Sequence, residues 1–158
     1  MLGMISKRFI EGIIRDGRLT EARQRYKAGT ANPCSWHFES QSCWGLVCEE
    51  VIDTDHDPEG YDAVYAELIR RGFGHIEIDE MRRLAWRTAG WMNYDMMLWD
   101  WVSLNEDDIR TAIEMRYGRW KFRRKRRIQD LETVQSFLDR DPPLKDKKVA
   151  EQVAASDR

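Results

Sequence analysis

The chain has little of what metal and redox chemistry needs: three cysteines and three histidines in 158 residues. All three cysteines lie between residues 34 and 48. An odd number of them, with no secretion signal, argues against a disulfide framework and for a reducing, cytoplasmic setting. No apolar run approaches the ~18 residues of a membrane span. Lys7, Arg8 and Glu11 interrupt the apolar N-terminal stretch, which speaks against a signal peptide. No P-loop, dinucleotide fingerprint, metalloprotease motif or Ser-His-Asp arrangement is visible. An enzyme is therefore the least expected class, and no cofactor is implied.

What the chain has is helical period. With 42% hydrophobic and 34% charged residues it reads as globular, and its length suffices to bury one core. Phe9, Ile10, Ile13 and Ile14 recur at the i, i+3, i+4 spacing of one helix face. After the turn at RDGR, Thr20 is the expected N-cap of a second helix ending at Gly29, which completes a helical hairpin. Trp44, Val47, Cys48, Val51 and Ile52 give a third stripe. DTDHDPEG carries the acids of a calcium loop, yet Pro58 and Val64 stand where an EF-hand needs glycine and glutamate. Asp57 as N-cap and Pro58 at the first helical position predict instead a helix to about Arg71, closed by Gly72 and Phe73. Tyr61, Val64, Tyr65, Leu68 and Ile69 would be its buried face.

GHIEI alone has strand character, and it is too short to build a sheet. Asp79 is expected to open a helix interrupted near Gly90, with another from about Asn93 carrying Tyr94, Met97, Leu98, Trp101 and Val102 on one face. Ser103 and Glu106 have capping-box spacing for the next. Its stripe is Ile109, Ile113, Tyr117 and Trp120, continued by Ile128, Leu131, Val134 and Leu138 in one long helix or in two broken near Gly118. The expected fold is all-α: a single compact bundle of six to eight helices over residues 1–140, then a polar tail over 141–158.

Cys34-x2-His37-x5-Cys43-x4-Cys48 places four ligand-type side chains in fifteen residues, and three cysteines with one histidine are an accepted zinc set. The spacing lacks the two tight pairs of familiar zinc modules, and Cys48 falls on an apolar stripe. Buried thiols are the expectation, with zinc as the alternative. A Cys34–His37 nucleophile pair would need a lowered thiol pKa, and no hydrolase context accompanies it.

Charge is segregated. Arg116, Arg119, Lys121, Arg123, Arg124, Lys125, Arg126 and Arg127 are eight cations in twelve residues with no acid among them. Removing those eight from the 26 basic residues leaves 18 against 28 acids elsewhere. Such a run neutralises phosphates and releases condensed counterions, so DNA or RNA is the expected partner. Tyr117 and Trp120 fall on the helix stripe and read as core, whereas Phe122 lies off it and can stack on a base. The competing reading is a solvated face, or one paired inside the fold with the acidic run from Glu49 to Glu59.

WRTAGWMNYDMMLWDW holds four tryptophans and three methionines in sixteen residues. Trp91, Met96 and Trp99 fall off the helix stripes; they are either core on a helix buried all round or a protein-binding surface. The first functional expectation is a small cytoplasmic binding protein that contacts nucleic-acid phosphates through residues 116–127, alone or in a nucleoprotein assembly. The second is a protein-binding regulator or inhibitor, of the kind phages and mobile elements carry, acting through the Trp–Met surface.

Overall fold

Gly17 is where the first two helices meet, and it leaves no room for a side chain. In the computed structural model, which describes residues 7–36, 38, 41–52, 57–96 and 104–141, α1 (Lys7–Asp16) runs directly into α2 (Arg18–Ala28). A Cβ on Gly17 would sit 2.3 Å from Glu50 Oε1 and 2.5 Å from Arg82 Nη2. Gly17, rather than Thr20, takes the N-cap position of α2, and the Thr20 hydroxyl donates to the Ile14 carbonyl instead. Ile14 is buried and Ile10 and Ile13 pack partly, but Phe9 is exposed, because α1 lies against α2 and the helix His75–Ala85 and covers only that side.

Between α2 and α4 (Pro58–Arg70) lies a buried carboxylate, Asp62. It accepts Arg25 Nε at 2.8 Å and the Asn32 N–H at 3.0 Å, which ties the end of the hairpin to α4. Asp57 precedes Pro58 as expected, although its side chain makes no capping bond among the described residues. The far end of α4 closes as the sequence suggests: Gly72 adopts φ 91°, its N–H donates to Ile69 and the Phe73 N–H donates to Leu68. That Schellman turn places Phe73 in the core.

The middle of the core is α3 (Cys43–Cys48), six residues that are all buried. Ser42 caps it by accepting the Gly45 N–H at 3.2 Å, and the Trp44 indole donates to the Val134 carbonyl at 3.0 Å. Val51 and Ile52 are buried just beyond.

GHIEI is helix. α5 (His75–Ala85) begins within it, because the Glu77 carboxylate reaches back to accept the Gly74 N–H at 2.8 Å. Local capping thus overrides the β-branched alternation. The break expected near Gly90 is absent too: α5 continues into a π-helix, Trp86–Asp95. A Cβ at Gly90 would approach the Trp86 ring to 2.9 Å, so glycine there accommodates packing rather than ending the helix. Tyr94 is exposed and stacks on Trp86, with centroids 5.7 Å apart. Met97, Leu98, Trp101, Val102 and Ser103 lie outside the described residues.

α6 (Glu106–Tyr117) is capped by Asn105 and Asp108: Asn105 accepts the Asp107 N–H and Asp108 the Asn105 N–H, both at 2.8 Å. The chain breaks after Tyr117, passes through a 3₁₀ turn at Lys121–Arg123 and enters α7 (Arg124–Arg140). α7 packs on α6 and α3 through Val134 and Phe137, with Leu131 and Leu138 partly covered; Ile128, expected inside, is exposed. Asp141, expected in the tail, belongs to the fold: it accepts the Cys43 N–H at 2.6 Å and pairs with Arg71 at 3.1 Å. Residues 142–158 lie outside the described residues. The described residues form an all-helical, compact fold without a strand, and none of their helices is long and apolar enough to cross a membrane.

Candidate nucleic-acid interface

The break at RYGRW decides which side chains of the basic stretch reach the surface. The Gly118–Arg119 turn leaves Trp120 extended, with φ −116° and ψ 107°. The Trp120 N–H donates to Tyr117 at 3.1 Å and the Arg123 N–H to Trp120 at 2.9 Å. Tyr117, still on α6, is buried as expected. Trp120 would share its face only if the helix went on; instead it is 54% exposed, which corrects the core assignment. Phe122 is 74% exposed and stands beside Trp120, with ring centroids 5.5 Å apart and planes inclined by 57°.

The eight cations divide by what they touch. Arg116 is half-buried, its guanidinium 5.3 Å over the Trp91 ring and donating to the Arg87 carbonyl. Burial first, then the charges of Arg87 and Arg123, holds its pKa below the usual guanidinium value. Arg116, expected among the phosphate contacts, is thus engaged with Trp91 and the Arg87 carbonyl. Arg126 pairs with Asp130 at 3.0 Å and Arg127 with Glu114 at 2.8 Å. Arg123 lies 5.6 Å over Phe122 and 6.0 Å over Tyr117. Arg119, Lys121, Arg124 and Lys125 are exposed and make no ion pair among the described residues.

Pairing with the acidic run from Glu49 to Glu59 does not occur among the described residues. Glu50 is buried against Arg82, and Glu49 accepts Gln41 Nε2 at 3.1 Å. Asp53 and Asp55 lie outside the described residues. The acids that do meet the basic stretch, Glu114 and Asp130, come from the helices on either side of the break.

α7 begins against its own dipole. A helix N-terminus carries a partial positive charge and favours acids. α6 obeys, with Glu106, Asp107 and Asp108 in its first turn. α7 has no acid there; Arg124, Lys125, Arg126 and Arg127 fill the first turn, and the Arg123 side chain supplies no cap. Lys125, Ile128, Gln129 and Glu132 share a face of α7, and with Lys121, Phe122 and Arg124 they line an open groove of about 730 Å³. Sequence pattern alone misses Trp120 and Ile128 here; the signal is Gly118, since of the two expected arrangements only a break there rotates both side chains off the stripe.

A second, larger groove of about 990 Å³ lies between α1, α2 and α5, lined among others by Lys7, Arg8, Arg23, Lys27 and Arg83. Part of that charge is answered locally: Arg23 pairs with Asp79 at 2.6 Å and Arg83 with Glu11 at 3.7 Å.

The cysteines separate. Cys43 and Cys48 are fully buried, as core thiols should be, whereas Cys34 is exposed and His37 lies outside the described residues. Burial pushes both buried thiols far above the usual range, with Asp141 adding to it at Cys43. Zinc binds thiolates, and these two positions disfavour the thiolate. Among the described residues no group of three or more His, Cys, Asp or Glu could hold a metal.

The Trp–Met surface also changes. Trp91 is buried with Met92 and Ala112, and Met96 packs partly against them. Trp91 thus presents little of its ring to the surface, and Trp99 lies outside the described residues. No protein-family model, no curated protein and no solved structure matches the chain.

Proposed function

We propose that the protein binds nucleic acid, with Arg119, Lys121, Arg124 and Lys125 contacting phosphates beside the exposed rings of Trp120 and Phe122. The observation that carries this reading is the first turn of α7: four consecutive cations on the positive end of a helix, two of them without an acidic partner among the described residues. Local choices that oppose the fold concentrate at functional sites, and an incoming phosphate relieves this one. The protein-partner reading through Trp91 loses support because that ring is inside.

The test is fluorescence anisotropy of a labelled oligonucleotide across a salt titration. Replacing Arg124 and Lys125 with Gln should weaken binding and flatten the log–log salt dependence by about 0.7–0.9 per lost contact. Binding that the double variant leaves unchanged at low salt would remove the proposal.

A further inference from the structure

We infer that the preferred ligand is single-stranded nucleic acid, held by base stacking on Trp120 and Phe122; this rests on the nucleic-acid reading above. Two large aromatic residues with 54% and 74% of their surface in water, with one residue between them, stand out in a protein whose other tryptophans with described side chains are covered or partly covered. Their separation of 5.5 Å puts them in contact with one another, so no base fits between them. Their inclination of 57° instead turns two outer surfaces in different directions, as suits successive bases along a bent strand.

The cations are placed to follow that strand. Arg119 and Lys121 flank Trp120, and Arg124 and Lys125 follow Phe122 at the mouth of the groove. Its volume of about 730 Å³ lies within the ~300–1,000 Å³ range of ligand pockets. Arg123, 5.6 Å over Phe122, adds a planar cation that itself stacks on bases.

A duplex fits this surface poorly. Its bases are stacked on each other and offer only edges in the grooves, which are read by Arg, Asn, Gln and Lys. Beyond Arg124 and Lys125 the groove-facing side of α7 presents Ile128, Gln129 and Glu132, of which Gln129 alone is of a type that reads base edges. Unpaired bases supply the π faces that the exposed rings lack, and stacking tolerates any sequence.

The experiment compares labelled oligothymidylate, oligouridylate and a self-complementary hairpin at one low salt concentration, using the full chain. Both single strands should bind more tightly than the hairpin. Phe122→Leu and Trp120→Leu should each weaken single-strand binding by roughly 5- to 150-fold, the range measured for losing one stacked base, with thermal stability unchanged. Leucine keeps apolar bulk and discards the π face, so a merely hydrophobic contact would survive it. Tighter binding to the hairpin, or indifference to both leucine variants while the Arg124 and Lys125 variants still weaken binding, overturns the single-strand inference alone. Absence of binding to all three probes overturns the underlying reading as well.

Discussion

Glu50 and Arg82 meet as a two-point ion pair inside the protein, Nε to Oε2 at 2.6 Å and Nη2 to Oε1 at 2.7 Å. The pair is also a junction. Glu50 accepts the Leu19 N–H at 3.0 Å, and Arg82 Nη1 donates to the Ile14 carbonyl at 2.8 Å and to Thr20 Oγ1 at 2.7 Å. The α1–α2 turn is thereby fastened to the end of α3 and to α5 through charge-assisted bonds.

Removing one partner of a buried pair strands the other, so Glu50→Gln should lower unfolding free energy by about 3–5 kcal/mol. The Glu50→Gln, Arg82→Met double variant should lose less than the two single losses added together. Gly17→Ala should damage the same junction, since its Cβ would enter the space of Glu50 Oε1. Urea titrations measure all of these, and a Glu50→Gln loss below about 0.5 kcal/mol, the scale of a surface change, would contradict the role assigned to the pair.

This junction is also where reading the sequence stopped short. Apolar period placed α3 and the buried faces of α4, α6 and much of α7, because burial of one stripe is a local and repeating signal. Glu50 carried no such signal: it read as part of an acidic run, and its partner lies 32 residues away on another helix. GHIEI failed differently, since a cap at Gly74 and Glu77 outweighed β-branched alternation. At the candidate site the charge was legible and the sorting was not. Whether an arginine meets solvent, as Arg124 does, or lies over Trp91, as Arg116 does, depends on how α6 and α7 turn at Gly118.

The three thiols should react unequally. Native protein treated with a thiol reagent is expected to modify Cys34 quickly, while Cys43 and Cys48 wait for unfolding, being buried with their thiolates disfavoured. Absorbance should therefore report one fast thiol in buffer and three in denaturant. Fast modification of two or more in native protein would show α3 to be open. A chelator should leave the melting temperature unchanged; a drop would restore the zinc reading of this segment.

Acid should destabilise the fold in two stages. His75 Nδ1 and the Tyr65 hydroxyl share a hydrogen bond, and burial pushes Tyr65 up to about 12. Burial, then Lys27 and Arg23, against the smaller opposing effect of Asp79, lowers the His75 pKa from 6.5. The unfolded chain therefore takes up that proton first, and the stability contributed by neutral His75 is lost as pH falls below about 6.5. Glu67 is held low by bonds from Arg70 and Arg71, and Glu77 by Arg140 and the Gly74 N–H. Both start from 4.5, so their contribution is present above that value and fades below it. Melting temperature against pH should show both declines, and His75→Asn should abolish the upper one while leaving the lower in place.

The first turn of α7 should trade stability against binding. Arg124 and Lys125 face the positive end of their helix dipole, whereas an acid there gains about 0.3–1 kcal/mol. Arg124→Glu and Lys125→Glu should therefore leave the protein as stable as before or slightly more so, while weakening its hold on an oligonucleotide. Arg116→Gln should do the reverse. That side chain covers Trp91 and bonds the Arg87 carbonyl, so its loss lowers the melting temperature and leaves the affinity of the folded protein intact. Ligand linkage supplies a third measurement: excess oligonucleotide raises the melting temperature of the native protein by mass action, and this rise should shrink in the α7 variants and persist for Arg116→Gln. If Arg124→Glu unfolds the protein more readily, the cations are holding α7 in place, and a structural purpose for the basic turn replaces the ligand-binding one.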